Sequence, residues 1–109
     1  MNTGAEDRRA AKRVSYLCEV TCEGDGINRL NTRINDLSTT GAFIDSMTCF
    51  PEGSVLKMKF KVREREINVA AEVRYCIQYQ GMGVHFLDLA IDEADLIASM
   101  IQGGEARPF

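Results

Sequence analysis

The stretch VLKMKFKVREREINVAAEVRYCIQY, residues 55–79, decides the fold. Its first half alternates Leu56, Met58, Phe60 and Val62 with Lys57, Lys59 and Lys61. That two-residue period puts the apolar side chains on one face of an extended strand and leaves a lysine row on a solvated or edge face. Its second half sets Ile67, Val69, Ala71, Val73, Tyr75, Ile77 and Tyr79 against Glu66, Asn68, Glu72, Arg74 and Gln78. A strand of that length is expected to bend.

Upstream, Pro51-Glu52-Gly53 reads as a turn and Ala42-Phe43-Ile44 as a short strand. The polar corner Asn35-Asp36-Leu37-Ser38-Thr39-Thr40-Gly41 precedes it, and a strand from Ile27 to Ile34 precedes the corner. Glu23-Gly24-Asp25-Gly26 is a further turn, reached by a strand that starts at Val14 and carries Tyr16, Cys18, Val20 and Cys22 on one face. Downstream, Gly81 and Gly83 bracket a turn into Met82, Val84 and Phe86. Asp92 then caps a helix with Leu96, Ile97, Met100 and Ile101 on one face, and Gly103-Gly104 stops it. Six short strands and one terminal amphipathic helix predict an all-β domain, an antiparallel barrel or sandwich whose open end the helix covers.

The chain has 109 residues, 45% of them hydrophobic and 27% charged, which is enough apolar material for one core and argues against wholesale disorder. Residues 1–13 read as a flexible basic N-terminal arm and residues 14–109 as the barrel domain with its helix. The arm sets Arg8, Arg9, Lys12 and Arg13 against Glu6 and Asp7, a net of 4 − 2 = +2, whereas the whole chain carries 13 − 16 = −3. A negative chain is not a duplex nucleic-acid binder, so an anionic ligand has to be met locally. The absence of a signal-peptide segment or a bilayer-length apolar run predicts a cytoplasmic protein without membrane insertion. In that setting Cys18, Cys22, Cys49 and Cys76 are expected to be reduced core thiols with no disulfide framework.

Metal, cofactor and enzyme chemistry find little here. Cys18 and Cys22 share an apolar strand face, His85 is the single histidine, and neither a Cys-x-x-Cys pair nor a phosphate-cradling glycine loop exists. His85 sits mid-strand with no nucleophile or orienting group, so no catalysis, no metal and no cofactor are expected. Two polar clusters remain: Arg8-Arg9-Ala10-Ala11-Lys12-Arg13, and the corner containing Asp36, Ser38 and Gly41. Guanidinium forks grip phosphate and the O6/N7 edge of guanine, and a carboxylate accepts from guanine N1–H and N2–H. Ser38 adds a hydroxyl and Gly41 allows close backbone approach. Together they suit a guanine-containing phosphodiester, while in isolation they would be a solvated tail and a side-chain-stabilised turn. Single-stranded RNA would call for stacking aromatics among basic residues, and aromatics are 7% with no Trp.

The spacing Arg9-x-x-x-Arg13, preceded by Arg8 and followed by Asp36-x-Ser38-x-x-Gly41, resembles the PilZ domain. Ala42-Phe43-Ile44, the Gly53 turn and Gly83-Val84-His85-Phe86 fall where that family has its equivalents, so the resemblance covers almost the whole chain. It implies a six-stranded antiparallel PilZ-type β-barrel with a C-terminal α-helix that binds the bacterial second messenger cyclic di-GMP. Arg9 and Arg13 would grip the ligand from a wrapping arm, and Asp36, Ser38 and Gly41 would meet it from the barrel. Arg8 offers a further stacking plane, which allows two intercalated cyclic dinucleotides per chain. With no output domain in sight, an unidentified downstream protein partner would carry the signal toward motility, surface attachment, exopolysaccharide production or transcription. The lysine row and the helix face are candidate docking surfaces. The alternative is a PilZ-like protein-interaction module that does not bind the nucleotide.

Overall fold

The computed structural model describes residues 14–24 and 28–103. Six strands precede one helix: β1 (Val14–Gly24), β2 (Asn28–Leu37), β3 (Gly41–Asp45), β4 (Val55–Val62), β5 (Arg65–Ile77), β6 (Gly81–Phe86) and α1 (Ile91–Gln102). They close a barrel in the order β1-β2-β3-β6-β5-β4, with antiparallel pairing throughout. Closure gives every strand a paired neighbour on both sides. The barrel chosen over a sandwich is the six-stranded antiparallel architecture expected from the resemblance.

The alternations in the sequence become the inside and outside of this barrel. Leu56, Met58, Phe60 and Val62 of β4 and Ile67, Val69, Ala71 and Val73 of β5 are buried with Val20, Cys22, Ile34, Leu37, Ile44, Met82, Val84 and Phe86. Lys57, Lys59 and Lys61 point to solvent. Helix α1 places Ile97 and Met100 in the same core beside β4. It is tied down by Arg63 in the β4–β5 turn, whose Nη1 donates to Ser99 Oγ at 3.1 Å. Arg63 and Glu64 both have positive φ, 50° and 70°, which gives the two-residue hairpin the twist of its strands without a glycine. The expected turn at residues 51–53 is present: Ser54 N donates to Pro51 O at 3.0 Å and Gly53 has φ 88°.

Several expectations are corrected. β2 does not end at Ile34 but runs to Leu37, because one extra residue at Asn35 is absorbed as a bulge between the Ile34–Ile44 and Asp36–Phe43 pairs. Asp36 therefore lies near the end of a strand, where the corner begins. A second bulge, at Arg74 between the Val73–Val84 and Tyr75–Gly83 pairs, turns the end of β5 over. Tyr75, Ile77 and Tyr79 are thus exposed instead of continuing the apolar face. The turn after β5 lies at residues 78–80, and Gly81 and Gly83 belong to β6. The N-cap of α1 is Ala90, whose N–H donates to Glu93 Oε1 at 3.2 Å, while Asp92 pairs with Arg65 at 2.8 Å. Gly103 does cap the C-terminus, in a right-handed conformation.

The cysteines divide into two kinds. Cys18 and Cys22 are free, as expected, and burial pushes both thiols up to about 12, with Glu19 adding to the effect at Cys18. Cys49 and Cys76 are joined by a disulfide across 27 residues, with Cα atoms 6.1 Å apart, so the expectation of four reduced thiols fails for this pair. No sequence spacing signals the bridge, because the barrel brings the β3–β4 loop against the end of β5.

Candidate functional site

The site builds outward from the register of β1, β2, β3, β6 and β5. Residues flanking the core positions face outward, and pairing aligns two rows of them. One row runs Ser15, Asp36, Phe43, Gly83, Tyr75 across five strands, and a second runs Gly41, His85, Glu72 across three. Neighbouring strands lie about 4.8 Å apart, so the two rows frame one continuous outer surface. Asp36 is half-buried in it.

Ser38 is only 1% exposed, the single buried polar side chain among the described residues. Its Oγ accepts the backbone N–H groups of Thr40 and Gly41, each at 3.1 Å, and its N–H donates to Gly41 O at 2.9 Å. The hydroxyl is thus committed to closing the loop between β2 and β3. Gly41 has a similar duty: a Cβ there would lie 2.1 Å from the Val84 carbonyl oxygen of β6. The close approach that this glycine permits is made by the barrel's own backbone. Two of the three corner residues are therefore explained by local architecture, whereas Asp36 is presented on the face.

The described part of the face is not strongly cationic. Arg33 is paired with Asp45 at 3.0 Å and Arg74 with Glu72 at 3.2 Å. Positive charge for a polyanionic ligand would have to come from Arg8, Arg9, Lys12 and Arg13, all of which lie outside the described residues, as does the whole expected arm. Their point of attachment is defined. Val14 pairs with Leu37 and Ser15 with Asp36, so the chain enters the barrel directly beside the Asp36–Ser38 corner. Sequence positions 15 and 36, which are 21 apart, are brought to one spot.

Sequence reasoning missed the aromatic part of this face. Phe43 is 9% exposed and Tyr75 39%, with ring centroids 6.2 Å apart. A Cβ on Gly83 would meet the Tyr75 ring at 2.1 Å, so the ring occupies the space that the missing side chain leaves. A glycine inside an apolar strand is a signal of such close approach, and Gly83 carried it. His85 and Glu72 were seen as strand-face residues, but their position beside Gly41 needed the pairing. Among the described residues, no group of three His, Cys, Asp or Glu is arranged to hold a metal, and no helix is long and apolar enough to cross a membrane.

No curated protein matches the sequence. Solved structures do match the fold. The Bacillus subtilis inhibitor of motility (MotI/DgrA) superposes with a TM-score of 0.76 at 19% identity, covering 88% of this chain and 51% of that one. The PilZ domain of YcgR from Escherichia coli with c-di-GMP gives 0.73 at 17% identity, covering 90% and 92%. The Borreliella burgdorferi PlzA protein in complex with c-di-GMP gives 0.68 at 18% identity, covering 84% and 40%. The chain thus spans about half the length of MotI and nearly all of the YcgR domain. At these identities the likeness is one of fold. The PilZ domain family model matches residues 7–103, through all six strands and the helix to its cap, and by that match the chain belongs to the PilZ domain family.

Proposed function

We propose that this protein is a cyclic di-GMP receptor that binds the dinucleotide on the outer barrel face, using Arg8, Arg9 and Arg13 from the arm and the corner formed by Asp36, Ser38 and Gly41. The observation that carries the reading is the β1–β2 register, which pairs Ser15 with Asp36 and so starts the barrel, immediately after the arginines in the sequence, beside that corner. Guanidinium groups supply charge-assisted bonds to phosphate and guanine, and the Asp36 carboxylate accepts from guanine N–H groups. Ser38 and Gly41 act by holding the loop shape from which Thr39 and Thr40 project. YcgR and PlzA, which share the fold, are described in complex with c-di-GMP.

Binding would order the arm against the barrel, and a separate protein partner would read that change. The module catalyses nothing and works in the cytoplasm, where an intracellular messenger is met. Titration calorimetry with cyclic di-GMP, with GTP and cyclic di-AMP as controls, tests the reading. Micromolar or tighter binding that Arg9→Ala, Arg13→Ala and Asp36→Ala each weaken is expected, with Lys57→Ala silent. Two ligands per chain would assign Arg8 to a second, intercalated dinucleotide.

One observation favours a second reading. Because Ser38 and Gly41 are needed for the loop and the β3–β6 approach, a chain that had lost ligand binding would still keep both. A PilZ-type interaction module that does not bind the nucleotide is the outcome if wild-type protein gives no heat with cyclic di-GMP.

A further inference from the structure

The Cys49–Cys76 bridge sits where β5 loses a partner. Pairing of β5 with β4 ends at Glu72 opposite Val55, and beyond the bulge at Arg74 the strand pairs with β6 alone. On its other side Val73 still exchanges hydrogen bonds with the loop, donating to Ser54 O at 2.9 Å and accepting from Gly53 N at 2.8 Å. Beyond Val73, the covalent tie to that side is the disulfide, which fastens the β3–β4 loop to Cys76.

What the tie holds is the aromatic part of the candidate ligand face. Cys76 pairs with Met82 and directly follows Tyr75, whose ring covers Gly83 and lies 6.2 Å from Phe43. Phe43 pairs in turn with Asp36. The chain of contacts from the bridge to Asp36 is thus continuous and short.

We propose that Cys49–Cys76 is a reversible redox clamp on the cyclic di-GMP face, closed for tight binding and opened by a dithiol reductant to weaken it. The proposal rests on the cyclic di-GMP reading. The reaction is thiol–disulfide exchange: the reductant's thiolate attacks a bridge sulfur, its second thiol closes a disulfide on itself, and two electrons and two protons end on Cys49 and Cys76. One S–S bond breaks, one forms, and no other reactant is needed. Cys76 lies on an exposed stretch that a reductant can reach, and among the described residues Cys49–Cys76 is the disulfide open to exchange. In a reducing compartment a bridge of this kind serves as a transient sensor rather than a permanent staple. Once the bridge is opened, the end of β5 keeps its pairing with β6 but loses its covalent tie to the β3–β4 loop, and ordering it again on ligand binding costs affinity.

The test uses the full chain in its oxidised form, verified by thiol counting, and the same protein after treatment with dithiothreitol. Cyclic di-GMP is titrated into each and into a Cys49→Ser, Cys76→Ser double variant. Reduction is expected to weaken binding about tenfold, within the usual range of coupling between two sites. Reoxidation should restore it, and the double variant should bind like the reduced protein with or without dithiothreitol. Equal affinity of the oxidised and reduced wild type overturns the clamp and leaves the receptor reading intact. Failure of every form to bind overturns both. Four free thiols after air oxidation overturn the clamp at its first step. The wild-type comparison decides the matter even where the double variant folds poorly.

Discussion

Replacing Gly41 by alanine should damage the barrel before it damages a binding site. The new Cβ would stand 2.1 Å from the Val84 carbonyl oxygen. Carbon and carbonyl oxygen come no closer than about 3.3 Å in ordinary contacts, so the two backbones must separate by about 1.2 Å. Neither can yield easily: Val84 is paired with Ala42 on one side and Val73 on the other, and Gly41 is bonded to Ser38 through both its N–H and its C=O. Overpacking of this sort costs about 1–3 kcal/mol. Losing one or two of the loop hydrogen bonds adds about 1 kcal/mol each, for a sum of about 2–5 kcal/mol. Gly53→Ala is the control, because φ there is 88° but nothing lies within 4 Å of an added Cβ. Its cost is left-handed backbone strain alone, about 1–2 kcal/mol. Urea unfolding of both variants in the oxidised state, followed by circular dichroism, should place Gly41→Ala at the lower midpoint, with an unchanged slope. A Gly41→Ala protein within about 0.5 kcal/mol of wild type, or more stable than Gly53→Ala, would refute the reasoning. Loss of ligand binding in Gly41→Ala reports on the ligand only once this stability change has been measured.

Three further outcomes follow from the same geometry. Glu64→Gly removes a side chain from a residue at φ 70° and should stabilise the β4–β5 hairpin by about 0.5–1 kcal/mol, read as a higher urea midpoint; a lower midpoint counts against the turn assignment. Oxidised native protein at pH 8 should show no fast-reacting thiol, because burial pushes Cys18 and Cys22 up to about 12, and denaturant should then expose both; a rapid burst in the native state would contradict their burial. Hydrogen bonds from Arg29 to Glu23 and from Arg65 to Asp92 hold these exposed carboxyls below the usual range, so the stability they add is present above about pH 4 and is lost as pH falls through the lowered values. The Glu23→Gln, Asp92→Asn protein should therefore lose less of its urea midpoint between pH 7 and pH 3 than wild type, by a small margin since both pairs are solvated; a greater loss would exclude these pairs as the cause.

How much of the site was legible depended on the range of the interaction behind each part. Arg9-x-x-x-Arg13 and Asp36-x-Ser38-x-x-Gly41 are short motifs and stand in the sequence as written. That Ser38 spends its hydroxyl on Thr40 and Gly41 was anticipated as the plain alternative, because such turns close within three residues. The aromatic pair Phe43 and Tyr75 was not legible as a pair. Its members are 32 residues apart, and only the bulge at Arg74 turns Tyr75 toward Phe43.

The number of strands, their order along the chain, the turn at Gly53 and the apolar face of the helix were all determined by sequence alone. Each is a local property: a period of two or 3.6 residues, or a turn type that one residue selects. Tertiary structure decided which strands pair, that β1 closes on β4, and where three strands take in an extra residue. It also decided that Cys49 meets Cys76 while Cys18 and Cys22 stay apart from them. Bulges arise when strands of fixed pleat must twist into a closed ring, and a disulfide needs two Cα atoms within about 7 Å. Such distances between residues far apart in the chain exist only once the barrel has closed.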